Sequence, residues 1–375
     1  MYKLLLRWML LICSLCFFSL AASASCKPHN PNLHVLAVVS ATEQDSFWSM
    51  YSTALSEAAK DLNVYVEFLY LNNHQDNRFI FTDTLKRRLE QAKKPDAVLT
   101  TLFLNAEESA LDLLASHNIY HIIVNTSLQA NLIDKIKQPR ERNQYWLALM
   151  TPNDKLASYQ LMQELLIRHK NKSTTKPIVV ALAGAHASTV SENRVSGLNQ
   201  VLTEQNLAIP SPMYTDWNYA SAHQSISALY RRVPDINIIW TVSSTLARAA
   251  SDHIAERQIT HPISIGTFDW TIEALDLIRQ GKADVSIGGH FLEGAWSLLL
   301  LYDFLHGQDF IDDLEPIIQT ELTFTDKSNV EKFTKYITHT NLANLNFALM
   351  SKCLNPKLQN YDFNIETLIE LTEAL

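Results

Sequence analysis

The sequence predicts an α/β protein built from two doubly wound parallel-sheet lobes. Its 375 residues are enough for two domains of ordinary size. Short β-branched runs alternate with amphipathic helical segments in the first half of the chain, and the same alternation repeats in the second half. Strands that alternate with helices form βαβ units, in which the strands lie parallel and helices cover both faces of the sheet.

The first half carries strands and helices in strict alternation. The first helix begins at Asp45 or Ser46, either of which can cap it, and apolar residues recur behind them at helical spacing. A polar stretch at 127–144 interrupts the alternation before a further apolar strand. The predicted strands are 34–40, 64–70, 96–103, 119–125 and 145–150, and the predicted helices are 45–62, 78–92 and 106–116.

A crossing into a second lobe is predicted at 151–153, where a helix over 154–169 begins. Beyond that helix the alternation starts again with elements of similar length, which indicates a second doubly wound half. The predicted strands are 177–183, 213–216, 236–242, 262–267, 284–288 and 316–325, and the predicted helices are 191–206, 221–232, 244–257, 271–280 and 291–306.

The N-terminus has the three-part pattern of a secretory signal peptide. Lys3 and Arg7 precede an uncharged apolar run at 8–20, and small residues follow at 21–25. A membrane anchor is the alternative, but the run is shorter than the roughly 20 residues of a membrane span. We therefore expect cleavage of residues 1–25 and export of the chain.

Two cysteines remain in the exported chain, because Cys13 and Cys16 lie within the leader. In an oxidising compartment, Cys26 and Cys353 are expected to form one disulfide between the mature N-terminus and the C-terminal tail. The alternative is a lipidated N-terminal Cys26, since small residues precede it.

Composition and motifs exclude several classes of function. The net charge of −8 disfavours binding to nucleic acid. The chain lacks the motifs of zinc proteases, serine hydrolases and P-loop enzymes. The 13 histidines are scattered without metal-ligand spacing. We therefore expect no enzymatic activity, no cofactor and no metal site.

The residues that follow the predicted strands are the candidates for ligand binding, because parallel sheets bind ligands beyond the carboxyl ends of their strands. They combine aromatic rings, which can stack on the apolar faces of a sugar, with polar groups that can hydrogen-bond its hydroxyls. The candidates are Asp45, Phe47, Trp48, Asn125, Arg194, Trp217, Ser243, Asp269, Trp270 and His290.

Several of these candidates also have structural explanations. Asp45, Ser243 and Asp269 each precede a predicted helix and can act as caps. Arg194 is equally explained as a solvated helix residue, and His290 as a buried structural histidine. Phe47 and Trp48 are equally explained as core residues.

Four segments, in this order, resemble the type I periplasmic binding proteins of the ribose and galactose kind. The first is Asp45-Ser46-Phe47-Trp48, which resembles that family's aromatic segment. The second runs from Ser188 to Arg194 and Gly197, and resembles a segment whose arginine grips the ligand. The third, 265–269, resembles a segment whose aspartate binds sugar hydroxyls, and the fourth is the helix and turn at 272–282. The resemblance covers roughly 34–325.

The resemblance implies a monomeric periplasmic receptor whose lobes are joined by a multi-strand hinge and close on a sugar or related small molecule. It implies a first lobe at 33–150 plus 290–320, a second lobe at 151–289 plus 321–340, and a tail at 341–375. The closed form would be read by a membrane partner.

Some positions depart from the family pattern. Asn125-Thr126 replaces a common Asp-Arg pair, Ser243-Ser244 replaces Asn-Asp, and Gly288 or Gly289 replaces a glutamine. These departures, and the long tail, are similar to receptor-type members that dock on membrane sensors. Two partners therefore stay open, an ABC permease and a sensor kinase or cyclase. A glycoside hydrolase using Asp45 and Asp269 is the alternative from a different class.

Overall fold

The structure is a computed structural model that describes residues 26, 33–40, 45–71, 77–186 and 188–374. Across these residues, two six-stranded sheets are each flanked by helices, which confirms the predicted two-lobed α/β class. The predicted signal peptide at residues 1–25 lies outside the described residues. Within the described part of the chain, no helix combines the length and the apolarity needed to cross a bilayer.

Strands and helices alternate along almost the whole described chain. The strands are β1 (His34–Val39), β2 (Tyr65–Tyr70), β3 (Ala97–Thr100), β4 (Tyr120–Val124), β5 (Trp146–Pro152), β6 (Val179–Ala183), β7 (Met213–Tyr214), β8 (Ile238–Thr241), β9 (Ser264–Phe268), β10 (Val285–Gly288), β11 (Ile317–Thr320) and β12 (Thr323–Asp326). The α-helices are α1 (Ser46–Asp61), α2 (Asn77–Leu89), α3 (Glu107–Ser116), α4 (Ala130–Ile136), α5 (Asp154–Lys172), α6 (Thr189–Glu204), α7 (Tyr219–Arg232), α8 (Ser244–Glu256), α9 (Ile272–Arg279), α10 (Glu293–Leu305), α11 (Val330–Thr334) and α12 (Ile365–Glu373).

The two sheets have the same order of strands. The first reads β11-β5-β4-β3-β1-β2 and is parallel throughout. The second reads β12-β10-β9-β8-β6-β7 and is parallel except for the antiparallel pair of β10 and β12. In each sheet the strand order reverses beside the first strand, β1 or β6, and ligands bind at such reversal points.

The chain passes between the sheets three times. It leaves the first sheet after β5, returns after β10, and crosses again between β11 and β12. The prediction of one strand over 316–325 is therefore wrong, because residues 321–322 separate two strands that belong to different sheets. An apolar run in the sequence indicates that its residues are buried, but it does not indicate to which sheet they belong.

The C-terminal tail is anchored on the first lobe through Asp303 of α10. This buried carboxylate accepts hydrogen bonds from the Tyr361 hydroxyl at 2.8 Å and from the Lys352 backbone amide at 2.7 Å. Beside them, Cys353 is joined to Cys26 in a disulfide with a Cα–Cα distance of 5.4 Å. The structure thus shows the disulfide rather than the free thiol that lipidation of Cys26 would need.

The same tail also contacts the second lobe. Oε1 of Glu366 lies 3.3 Å from Nζ of Lys332, and Oε1 of Glu373 lies 2.9 Å from Nζ of Lys335. The tail therefore contacts residues of both lobes.

Candidate ligand-binding site

His290, two residues beyond the end of β10, contacts residues of both lobes. Phe47, after β1, stacks on its ring with centroids 4.8 Å apart, and Nδ2 of Asn125, after β4, donates to its carbonyl oxygen at 3.2 Å. From the second lobe, Nη2 of Arg194 lies 3.2 Å and Oδ1 of Asp269 lies 3.4 Å from its Nε2. The structure therefore brings five of the predicted site residues into one neighbourhood.

Arg194 is held from three sides. It lies on α6, where Ser188 caps the helix, and its side chain is only 2% exposed. Its Nε donates to Oδ1 of Asp154 at 2.6 Å, and its Nη1 donates to the carbonyl of Val242 at 2.8 Å. Sequence analysis interpreted Asp154 only as the start of α5. Nothing local marks it as the partner of an arginine 40 positions away.

Glu293 is a buried member of the site that sequence analysis missed. It opens α10, and its carboxyl group accepts hydrogen bonds from Nδ2 of Asn125 at 2.7 Å and from the hydroxyl of Thr320 at 2.5 Å. These contacts join the end of β4 to two of the three crossings between the lobes. Burial, the largest cause, raises the pKa of Glu293 to about 8, although both hydrogen bonds oppose the shift.

The raised pKa of Glu293 predicts that stability falls as pH rises from about 4.5 to about 8. In that window the folded protein keeps a proton on Glu293 that the unfolded chain has released. The free energy of unfolding therefore decreases as the pH rises. We expect Glu293→Gln to flatten this dependence, because glutamine keeps the shape and hydrogen-bonding groups without titrating. The measurement is the free energy of unfolding in urea across this window.

Glu331→Gln is the control for that experiment, because the Glu331 side chain is 72% exposed. It should leave the slope of stability against pH unchanged. An identical slope in wild type and Glu293→Gln would contradict the assignment.

Asp269 and Ser243 follow neighbouring strands of the second sheet. Asp269 has a positive φ of 78° and accepts a hydrogen bond at Oδ2 from the backbone amide of Ser244 at 3.2 Å. It therefore supports the start of α8, whereas the cap of α9 is Thr271. Ser243 stands at the cap position of α8, but its hydroxyl makes no capping hydrogen bond.

Three buried polar atoms in this neighbourhood have no hydrogen-bond partner among the described residues. They are Oγ of Ser243, Oδ2 of Asp154 and Nδ1 of His290. Buried polar groups are almost always hydrogen-bonded, to protein, water or ligand.

The aromatic candidates occupy different positions. Trp48 meets Phe47 edge-on, with centroids 5.2 Å apart, at the first turn of α1. Trp217 has a positive φ of 61°. Its ring packs on Gly184 at the carboxyl end of β6, so closely that a Cβ atom added to Gly184 would lie 2.3 Å from the ring. Both side chains are half-buried, Trp48 on a helix and Trp217 just after β7.

Two of the predicted site residues have structural roles in this fold. Trp270 is 1% exposed and lies between Phe333 and Gly288, so it belongs to the core of the second lobe rather than to a stacking surface. The carboxylate of Asp45 accepts hydrogen bonds from the backbone amides of Phe47 at 3.0 Å and Trp48 at 3.1 Å. It therefore acts as the cap of α1, the structural explanation given for it above.

The rims of the two lobes also touch. Nδ2 of Asn193, on α6, donates to the hydroxyl of Ser127 in the first lobe at 3.0 Å. Neither residue was a candidate from sequence, because a contact of this kind depends on how the lobes face each other. The lobes therefore touch at a second place, besides the contacts around His290.

A family model described as a periplasmic binding protein domain matches residues 36–309. A search of curated proteins found no match. Among solved structures, a periplasmic sugar-binding protein from Pseudomonas fluorescens is similar, with 22% identity and a TM-score of 0.78 over 90% of this chain and 99% of that chain.

Two further structures share the fold. One is an ABC transporter periplasmic solute-binding protein from Actinobacillus succinogenes with bound D-allose, with 16% identity and a TM-score of 0.70 over 81% of this chain and 100% of that chain. The other is an ABC transporter solute-binding protein from Bacillus halodurans with bound myo-inositol, with 15% identity and a TM-score of 0.66 over 82% of this chain and 99% of that chain.

Proposed function

Because this chain belongs to the periplasmic binding protein family, we propose that it is a receptor that captures a sugar or polyol between its two lobes. The observation that carries the proposal is the convergence of Phe47, Asn125, Arg194 and Asp269 on His290. These residues come from both lobes, so a ligand held by them would bridge the lobes. Similar structures with D-allose and myo-inositol support this class of ligand.

The polar groups of the site suit a ligand with several hydroxyls. A guanidinium has five N–H donors, of which Arg194 directs three to Asp154, Val242 and His290. Two donors therefore remain for a ligand, beside the hydroxyl of Ser243. Each sugar hydroxyl both donates and accepts, so it can pair with arginine donors and with a carboxylate oxygen at once.

Closure of the lobes would couple binding to a signal. The three crossings between the sheets form the hinge, with boundaries near 151, 289 and 321. A ligand that contacts both lobes shifts the open–closed equilibrium by its differential affinity for the closed form. The hydrogen bond between Asn193 and Ser127 contributes to that closed form without contacting the ligand.

The partner that reads the closed form is an ABC permease in this proposal, as in the transport systems of the similar proteins. A second candidate is a membrane sensor kinase or cyclase. The observation that favours it is the tail, which contacts α10 through Asp303 and α11 through Lys332. A hydrolase that uses Asp45 and Asp269 is disfavoured, because Asp45 caps α1 and the similar proteins are described as sugar-binding or solute-binding proteins.

The test begins with a thermal-shift screen of the exported form against pentoses, hexoses and inositols at millimolar concentration. A ligand of the folded state raises the melting temperature by mass action. We expect at least one hit, whose affinity is then measured by calorimetry. A screen without any rise in melting temperature would contradict the proposed function.

Ser243→Ala is expected to weaken binding of that ligand about fivefold to tenfold, the effect of losing one hydrogen bond of roughly 1 kcal/mol. The free protein should keep its melting temperature, because the hydroxyl has no partner to lose among the described residues. The matched control is Ser264→Ala. That hydroxyl is also buried and unpaired among the described residues, but it lies at the first residue of β9, at the opposite end of the sheet. Equal losses of affinity in both variants would refute the placement of the site.

A further inference from the structure

Two helices of the second lobe, α7 and α8, bring together three side chains that can bind a metal ion. His223 comes from α7, and His253 and Glu256 lie three residues apart on α8. One ligand atom from each lies within 4.8 Å of the others, and Nε2 of His223 is 3.0 Å from Oε2 of Glu256. The cluster is nine residues along α8 from Ser244, or about 14 Å at the rise of a helix, so it is separate from the proposed sugar site.

We propose that His223, His253 and Glu256 form a binding site for Zn²⁺ that links α7 to α8. Two imidazoles and one carboxylate are a ligand set that zinc accepts, whereas magnesium and calcium prefer oxygen ligands alone. Three protein ligands leave the fourth tetrahedral position to water, and the exposed side chain of Glu256 leaves that side open to solvent. The site is independent of the proposed sugar-binding function.

The geometry requires only a small adjustment. Tetrahedral zinc ligands at about 2.0 to 2.1 Å from the metal lie about 3.4 Å from one another. The pair formed by His223 and Glu256 is already within that distance, so the remaining movement is an approach of His253 by up to about 1.4 Å. The side chains of His223 and Glu256 are 29% and 59% exposed, so they are free to turn toward the buried His253.

The charged groups around the cluster have opposing effects on the binding of a metal ion. Burial lowers the pKa of His253, with further lowering by His223 and by the cations Arg257 and Arg231, so this imidazole is held in the neutral form that ligates metals. The same two arginines oppose a dication, and the carboxylate of Glu256 offsets them. We therefore expect an affinity in the micromolar range rather than the tighter binding of closed structural sites.

This inference revises the expectation of no metal site. His223 and His253 are 30 residues apart in the sequence, so no short motif contains both. Only the packing of α7 against α8 makes them neighbours.

The experiment is a calorimetric titration with Zn²⁺. The protein is prepared without a histidine tag and is first treated with a chelator to remove bound metal. We expect one equivalent to bind with a micromolar dissociation constant and to raise the melting temperature. Co²⁺ should bind with the visible absorption of a tetrahedral site. Mg²⁺ should produce neither change.

His223→Gln and Glu256→Gln are the test variants, because both side chains are partly exposed and neither should disturb folding. Each is expected to weaken Zn²⁺ binding at least tenfold. The matched control is His186→Gln, since His186 lies near Glu192 at 3.6 Å in another exposed histidine–carboxylate pair. The proposal is overturned if Zn²⁺ does not bind, if both test variants bind it unchanged, or if the control loses as much affinity as they do.

Discussion

Asp154→Asn is expected to lower the free energy of unfolding by about 3 kcal/mol or more, the range found when one partner of a buried ion pair is removed. Arg194 and Asp154 are each 2% exposed, and their Nε and Oδ1 atoms are 2.6 Å apart. The guanidinium keeps its charge at any pH that the fold tolerates, so the variant leaves a buried cation without its nearest anion. The measurement is urea unfolding followed by circular dichroism and tryptophan fluorescence.

The chain offers a matched control for this prediction. Asp276 and Arg279 form a pair with the same 2.6 Å separation, but their side chains are 45% and 37% exposed. Asp276→Asn should therefore cost less than about 1 kcal/mol, because water and salt screen a surface pair. If both variants lose the same stability, burial does not control the strength of the pair formed by Asp154 and Arg194, and the prediction is wrong.

Replacing both Cys26 and Cys353 with serine is expected to remove up to about 5 kcal/mol of stability. The disulfide closes a loop with a sequence separation of 327 residues, and the entropy that a cross-link removes from the unfolded chain grows with loop length. In the folded state the bond lies beside Asp303, which anchors the tail. We therefore expect the residues around Cys353 to loosen first, as earlier cleavage of the tail by a protease.

The thermal melting temperature, with and without a reducing agent, tests this prediction. A reducing agent should lower the melting temperature of the wild-type protein. The double variant should melt at that lower temperature both with and without the reducing agent. Free thiols at both positions in the purified, non-reduced protein, detected by mass spectrometry, would show that the bond does not form. A wild-type melting temperature unaffected by reduction would show that the bond does not stabilise the fold.

The partition of the chain into strands and helices was largely predictable, because burial imposes a local period on the sequence. The strand at 34–40 and the helix at 45–62 appear as β1 and α1 within a residue or two at either end. Parallel strands place their carboxyl ends at one edge of a sheet. For this reason Phe47, Asn125 and Asp269 could be chosen before any contact was known.

The sequence by itself thus determined the two-lobed class, most of its elements and most of the positions that surround His290, but it did not predict the helices α4, α11 and α12. The tertiary structure decided which groups pair there. Asp154 and Arg194 are 40 residues apart, and Asn125 and Glu293 are 168 apart, so no local pattern links them. It also decided that Trp270 is a core residue and that the segment at 321–322 changes sheet, because burial and sheet membership depend on what packs across from a residue rather than on its neighbours in the chain.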